Sequence, residues 1–134
     1  AALTQTWELP WQSTVNETLG IFLNEELLGL VEFDYEEGIT HIQYGETTPE
    51  EQFDNPNRRF KHIGRALMAA VYYIARERAL QDETTPLCWF TLMHPNKHQP
   101  FAESVKAIAD NASNVSFTVG DRQMRELLTE LNLI

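Results

Sequence analysis

Four basic side chains, Arg58, Arg59, Lys61 and Arg65, fall within eight positions in an otherwise acidic chain, with Gly64 among them. That pattern suits an anion. The cations supply charge, and a helix starting here adds N–H donors without helical partners and the positive end of its dipole. A nest of such donors can cradle a diphosphate, and Gly64 lets it approach the backbone without an intervening side chain. His94 and His98 have a spacing that puts two imidazoles on one helical face, but Pro95 and Pro100 make this stretch read as a loop. No third ligand follows at metal-site spacing, so no metal is expected. Asp54-Asn55-Pro56-Asn57 opens like a calcium loop but lacks the glycine and closing glutamate at the required offsets.

Hydrophobic periodicity indicates the elements that must position the basic cluster. Thr4 to Glu8 reads as a first strand stopped by Pro10, Leu19 to Leu23 as the next, and Asn24-Glu25-Glu26 as a turn. Leu27 to Tyr35 places Val31, Phe33 and Tyr35 on one face with Glu32 and Asp34 between them, the period of a half-buried strand. Glu36-Glu37-Gly38 turns the chain into a strand from Ile39 to about Glu46, completing an antiparallel meander. Thr47 to Asn57 is a loop by composition. From about His62 to about Leu80, Ile63, Leu67, Ala70 and Ile74 recur at helical spacing, and Ala66 and Val71 widen the stripe. Leu87 to Met93 reads as an interior strand, so strand, helix and strand should form a parallel crossover. His94 to Pro100 reads as a loop, Phe101 to Ala109 as a helix and Val115 to Val119 as a short strand. Asp121 is the expected N-cap of a last helix through Met124, Leu127, Leu128 and Leu131.

At 134 residues the chain suits a single domain, 1–134, and its 43% hydrophobic and 22% charged content is that of a globular protein. No apolar run approaches the roughly 20 residues of a membrane span, and the opening residues lack a basic-then-apolar secretory pattern. Cys88 is the only cysteine and lies in an apolar run, so a buried thiol in a reducing, cytoplasmic setting is expected. Residues 1–57 hold 12 acidic and no basic residues, whereas 58–134 hold 10 basic and 8 acidic ones. The first half would therefore repel nucleic acid and attract cations.

Arg59-Phe60-Lys61-His62-Ile63-Gly64-Arg65-Ala66-Leu67-Met68 resembles the acyl-CoA-binding signature of the GNAT superfamily of N-acyltransferases, Arg/Gln-x-x-Gly-x-Gly/Ala with an Ala-Leu continuation. Arg59 matches its first position and Gly64 its last glycine; His62 stands where the first glycine is expected. The order of elements from Leu19 to Ile108 is similar too. The resemblance implies an α/β (α+β) fold with a mixed, mostly antiparallel central sheet flanked by helices. It implies acetyl-CoA or another acyl-CoA as co-substrate, bound through Arg59, Phe60, Lys61, His62, Ile63, Gly64 and Arg65. The pantetheine arm would enter between splayed strands ending near Glu46 and starting near Leu87.

N-acyl transfer needs a base for the ammonium and a proton for the leaving thiolate. Glu46 is the first candidate base, Glu50 and Glu51 the next, and His98 a candidate proton donor. The expected partners are a CoA thioester and a cationic amine, with a homodimer allowed and neither nucleic acid nor membrane expected. The alternative is a GNAT-like CoA-binding or regulatory module without catalysis, because the tyrosine often found as general acid has no clear counterpart around Phe101 and two acceptor-site helices have no room.

Overall fold

Two tight turns fold the first half back on itself. In the computed structural model, which describes residues 17–47, 56, 62–92, 95–110 and 116–134 (95–99 by backbone alone), β1 (Glu17–Leu23), β2 (Glu26–Glu36) and β3 (Ile39–Thr47) form an antiparallel meander. Asn24 and Glu25 take positive φ, as two-residue hairpin turns require, and Glu37 and Gly38 do the same at the second turn. Gly38 has φ +89°, and a Cβ there would lie 2.4 Å from Thr84 Oγ1. The proposed strand at Thr4 to Glu8 lies outside the described residues.

Helix α1 (Ile63–Gln81) has five alanines, good helix formers, and ends where Thr84 N–H donates to the Ala79 carbonyl. It crosses from β3 to β4 (Leu87–Thr91), which lies parallel beside β3 as the crossover predicts. The buried side of α1 differs from the expected stripe. Ala66 and Ala70 are exposed, while Met68, Tyr72, Ala75 and Ala79 join Ile63, Leu67 and Val71 inside, because the small alanines let the larger side chains turn toward the sheet.

His94 to Pro100 was expected to be a loop, but helix α2 spans Pro95–Ser104. Pro95 opens it, where a missing N–H breaks no helical bond, and one interior proline, Pro100, is tolerated. The helix expected from Phe101 to Ala109 stops at Ser104. Lys106 takes φ 66°, Ala107 N–H donates to the Ala102 carbonyl, and Ile108–Ala109 forms strand β5. Strand β6 (Ser116–Gly120) leads into α3 (Asp121–Glu130), whose N-cap is Gly120 rather than Asp121. Gln123 Oε1 accepts from Gly120 N–H at 3.1 Å, leaving the Asp121 carboxylate to pair with Arg76 at 2.9 Å and Arg125 at 3.0 Å.

Among the described residues the sheet is mixed and six-stranded, in the order β1-β2-β3-β4-β6-β5. Side chains of α1, α3 and the end of α2 join Val31, Phe33, Ile42, Cys88, Phe90, Phe117 and Val119 in one core. Strand β2 is buried from Leu28 to Phe33, so it is not the half-buried strand expected from its alternation: Glu32 is only 7% exposed. At Gly29 the first turns of α1 touch β2; an added Cβ would lie 2.9 Å from Ile63 Cγ2 and 3.0 Å from Leu67 Cδ1. Gly29→Val should therefore cost about 2 kcal/mol by overpacking, read as a lower urea midpoint at constant m-value. An unchanged midpoint would mean that α1 does not lie this close.

Candidate active site

Helix α1 begins without a side-chain cap from its N-cap residue. His62 makes no cap hydrogen bond, no acidic residue lies in the first turn, and the first internal bond runs from Ala66 N–H to the His62 carbonyl at 2.9 Å. The N–H groups of Ile63, Gly64 and Arg65 thus have no partner within the helix, and the dipole leaves partial positive charge beside them. His62, the N-cap, is left-handed at φ 66° and ψ 25°. Glycine adopts that conformation without strain and histidine at a modest cost, which gives the substitution at this position a backbone meaning. Relief of that cost is partly offset by the extra freedom glycine gives the unfolded chain. His62→Gly should leave stability unchanged or raise it by up to about 1 kcal/mol, whereas β-branched His62→Val should lower it, in thermal melts. A large loss in His62→Gly would show that the imidazole itself holds the helix start.

The other members of the motif have separate duties. Gly64 faces Phe101: a Cβ there would lie 3.0 Å from the ring, so this glycine brings the first turn of α1 against α2. The Arg65 guanidinium donates to the Ser104 carbonyl at 3.1 Å and pairs with Glu130 at 2.5 Å. Lys106 shares Glu130, and the two cations hold its carboxyl below the usual range, Lys106 most strongly. Arg58, Arg59, Phe60 and Lys61 lie outside the described residues.

Beside the helix start the sheet opens. Strands β3 and β4 pair only at Ile39↔Leu87, Thr40↔Cys88 and His41↔Trp89, after which Ile42 to Thr47 have no β4 partner. The cause is local. Phe33 opposes Ile42 and Glu32 opposes Tyr44, so Gln43 is an extra residue in β3, and such a bulge bends its strand and strengthens its twist. Meanwhile β4 stays paired with β6 through Thr91↔Ser116. The fork opens at the carboxyl ends of both parallel strands, where α1 also begins, and ligands of parallel sheets bind at such ends.

The bulge also gathers polar side chains on the sheet face turned away from α1. Tyr44 donates to Glu46 Oε2 at 2.7 Å, and Glu32 is the direct cross-strand neighbour of Tyr44. Nearer the apex, Gln43 Nε2 lies 3.2 Å from Asp34 Oδ2 and 2.6 Å from His41 Nδ1, and the His41 and Trp89 rings are 4.2 Å apart.

No protein-family model and no curated protein sequence matches this chain. Solved structures do. A chain of the KacTA–DNA complex aligns over 92% of this chain and 79% of its own, with a TM-score of 0.68 and 12% identity. The ribosomal-protein-S18-alanine N-acetyltransferase of Escherichia coli aligns over 87% of this chain and 75% of its own, with a TM-score of 0.62 and 10% identity. The PaiA N-acetyltransferase of Thermoplasma acidophilum, solved with coenzyme A, aligns over 78% of this chain and 60% of its own, with a TM-score of 0.57 and 15% identity. This chain has a GNAT-like fold.

Within that GNAT-like fold, Glu46 stands half-buried on the stretch of β3 that pairs with β2 but has no β4 partner. Glu50 and Glu51 lie outside the described residues, as does the side chain of His98, whose backbone is in α2. Sequence reasoning missed Glu32, the buried carboxylate, and the His41, Gln43, Tyr44 and Asp34 group. Their signal was absent because the bulge that collects them depends on pairing register. Cys88 is buried, its thiol pushed up to about 12 by burial, so it is no nucleophile at neutral pH. Among the described residues no His, Cys, Asp or Glu cluster suits a metal, and no helix is long and apolar enough to cross a membrane. An apolar groove of about 400 Å³ runs along α1 between Leu19 and Leu133, but its lining is too apolar for a diphosphate.

Proposed function

We propose that this chain is an acyl-CoA-dependent N-acyltransferase that moves an acetyl group to a cationic amine of a small molecule or protein. The fork between β3 and β4, opening beside the start of α1, carries the reading. A diphosphate suits the N–H groups of that helix turn, which have no partner within the helix. The extended pantetheine arm, with its two amides, suits the edge of Ile42 to Thr47, which has no β4 partner and can pair with it as with an added strand. Similar folds include one solved with coenzyme A and one with acetyl-CoA. Residues 17–47 contribute eight carboxylates and neither Lys nor Arg, a potential that favours a cationic acceptor.

Thermal unfolding with and without 1 mM CoA or acetyl-CoA tests the binding half. A ligand at 100 times its Kd adds about 2.7 kcal/mol and raises the Tm. An unchanged Tm with both would remove the proposal. Release of free CoA thiol in the presence of an amine panel tests the transfer half.

The alternative is a CoA-binding or regulatory module without catalysis. The engagement of Arg65 with Glu130, which withdraws one cation from the expected anion site, favours it. Tight CoA binding without transfer to any amine selects this reading. Similar folds are also found with DNA and with the C-terminus of an antitoxin, so a macromolecular partner belongs to this second reading.

A further inference from the structure

We propose that His41 is a catalytic hydrogen-bond donor to the thioester carbonyl, held in the required tautomer by Asp34 through Gln43. The inference rests on the acyltransferase reading above. His41 is the last β3 residue paired with β4, so it stands at the apex of the fork, and its ring lies on Trp89 of the other arm. Asp34 is its direct neighbour across β2 and β3.

The tautomer follows from the hydrogen-bond inventory. An ionised Asp34 carboxylate only accepts, so the Gln43 group 3.2 Å from it is the NH₂ and not the carbonyl. The second hydrogen of that NH₂ goes to His41 Nδ1 at 2.6 Å, so Nδ1 accepts and the imidazole proton sits on Nε2. A neutral imidazole fixed in this way offers one N–H donor. Donors pre-positioned where an oxyanion develops are a large source of acyl-transfer catalysis.

In the step this donor serves, the amine nitrogen attacks the thioester carbon and forms the C–N bond. The C=O electron pair moves onto oxygen, where His41 Nε2–H stabilises it. Collapse re-forms the C=O bond and breaks C–S; the thiolate leaves with the electron pair and takes up a proton, while the ammonium proton passes to a base or water. His41 keeps its proton throughout.

The test combines two measurements on the full chain. First, ¹⁵N NMR of the histidine rings, with CoA and then acetyl-CoA, should show an unprotonated Nδ1 and a protonated Nε2 at His41. The Nε2 signal should move more with acetyl-CoA than with CoA, because only acetyl-CoA has the carbonyl. Second, His41→Phe, which keeps a ring against Trp89, should lower kcat for the best amine by about 100-fold with little change in KM for acetyl-CoA or in the CoA-induced Tm shift. Gln43→Leu should lose about 10-fold and mix the tautomers. A proton on Nδ1, equal responses to CoA and acetyl-CoA, or a His41→Phe rate within twofold of the parent would each overturn the inference while leaving CoA binding intact. Absence of any CoA-induced shift would overturn the acyltransferase reading and this inference with it.

Discussion

Replacing Tyr72 with alanine is expected to remove about 4 kcal/mol of stability, a large part of the 5–15 kcal/mol typical of a domain. Tyr72 is fully buried and, among the described residues, is the largest such side chain. Its ring fills the space between α1 and the residues following α2, and its hydroxyl donates to the Val105 carbonyl at 2.8 Å. Alanine would leave a cavity and also strand that carbonyl, in a residue with no exposed surface, without a donor. Tyr72→Phe separates the two effects, since it keeps the ring and should cost only about 1–2 kcal/mol. Urea denaturation measures both; a Tyr72→Ala loss under about 1.5 kcal/mol would mean that the core collapses around the gap.

The same residue shows what periodicity can and cannot reveal. The helix from about His62 to Leu80 was legible because apolar residues recur at helical spacing, but the helix has apolar residues on more than one side. Choosing the stripe through Ala70 and Ile74 over the one through Met68, Tyr72 and Ala75 needed the shape of the sheet beneath. The meander was legible through its turn residues, and the parallel crossover through the order of elements. Helix α2 was hidden by its prolines: Pro95 is permitted in a first turn, but composition alone makes two prolines within six residues look like a loop.

The site divides the same way. The proposed anion-binding end was visible because charge and the Gly64 motif are contiguous. The fork was expected only through the family resemblance, as splayed strands; its cause, one extra residue, Gln43, in the pairing of β2 and β3, was not legible. That bulge is set by register, a long-range property, yet it determines which polar groups meet. It puts Gln43 between Asp34 and His41, and Tyr44 beside Glu32 and Glu46. Even His62 has a different meaning in three dimensions: its left-handed backbone, more than its side chain, is what a glycine would have supplied.

Glu46→Gln is expected to lower transfer by about 100-fold while leaving the CoA-induced Tm shift unchanged, if Glu46 accepts the ammonium proton. General-base contributions run from about 10² to 10⁴, and geometry places this one at the low end. Tyr44, whose hydroxyl holds the Glu46 carboxylate, stands about 10 Å along the strand from His41, so a proton released near the apex reaches Glu46 through water rather than directly. Tyr44→Phe should lose about 10-fold, because it frees that carboxylate to move without removing it. Glu32 provides the internal control: it lies across from Tyr44 on the same face and is buried. Steady-state kinetics on Glu46→Gln and Glu32→Gln decide between the two carboxylates. A Glu46→Gln rate within threefold of the parent, with a large loss in Glu32→Gln, would transfer the base role to Glu32. Small losses in both would exclude Glu46 and Glu32 as the base and direct the search to Glu50 and Glu51, the next carboxylates after β3 in the sequence.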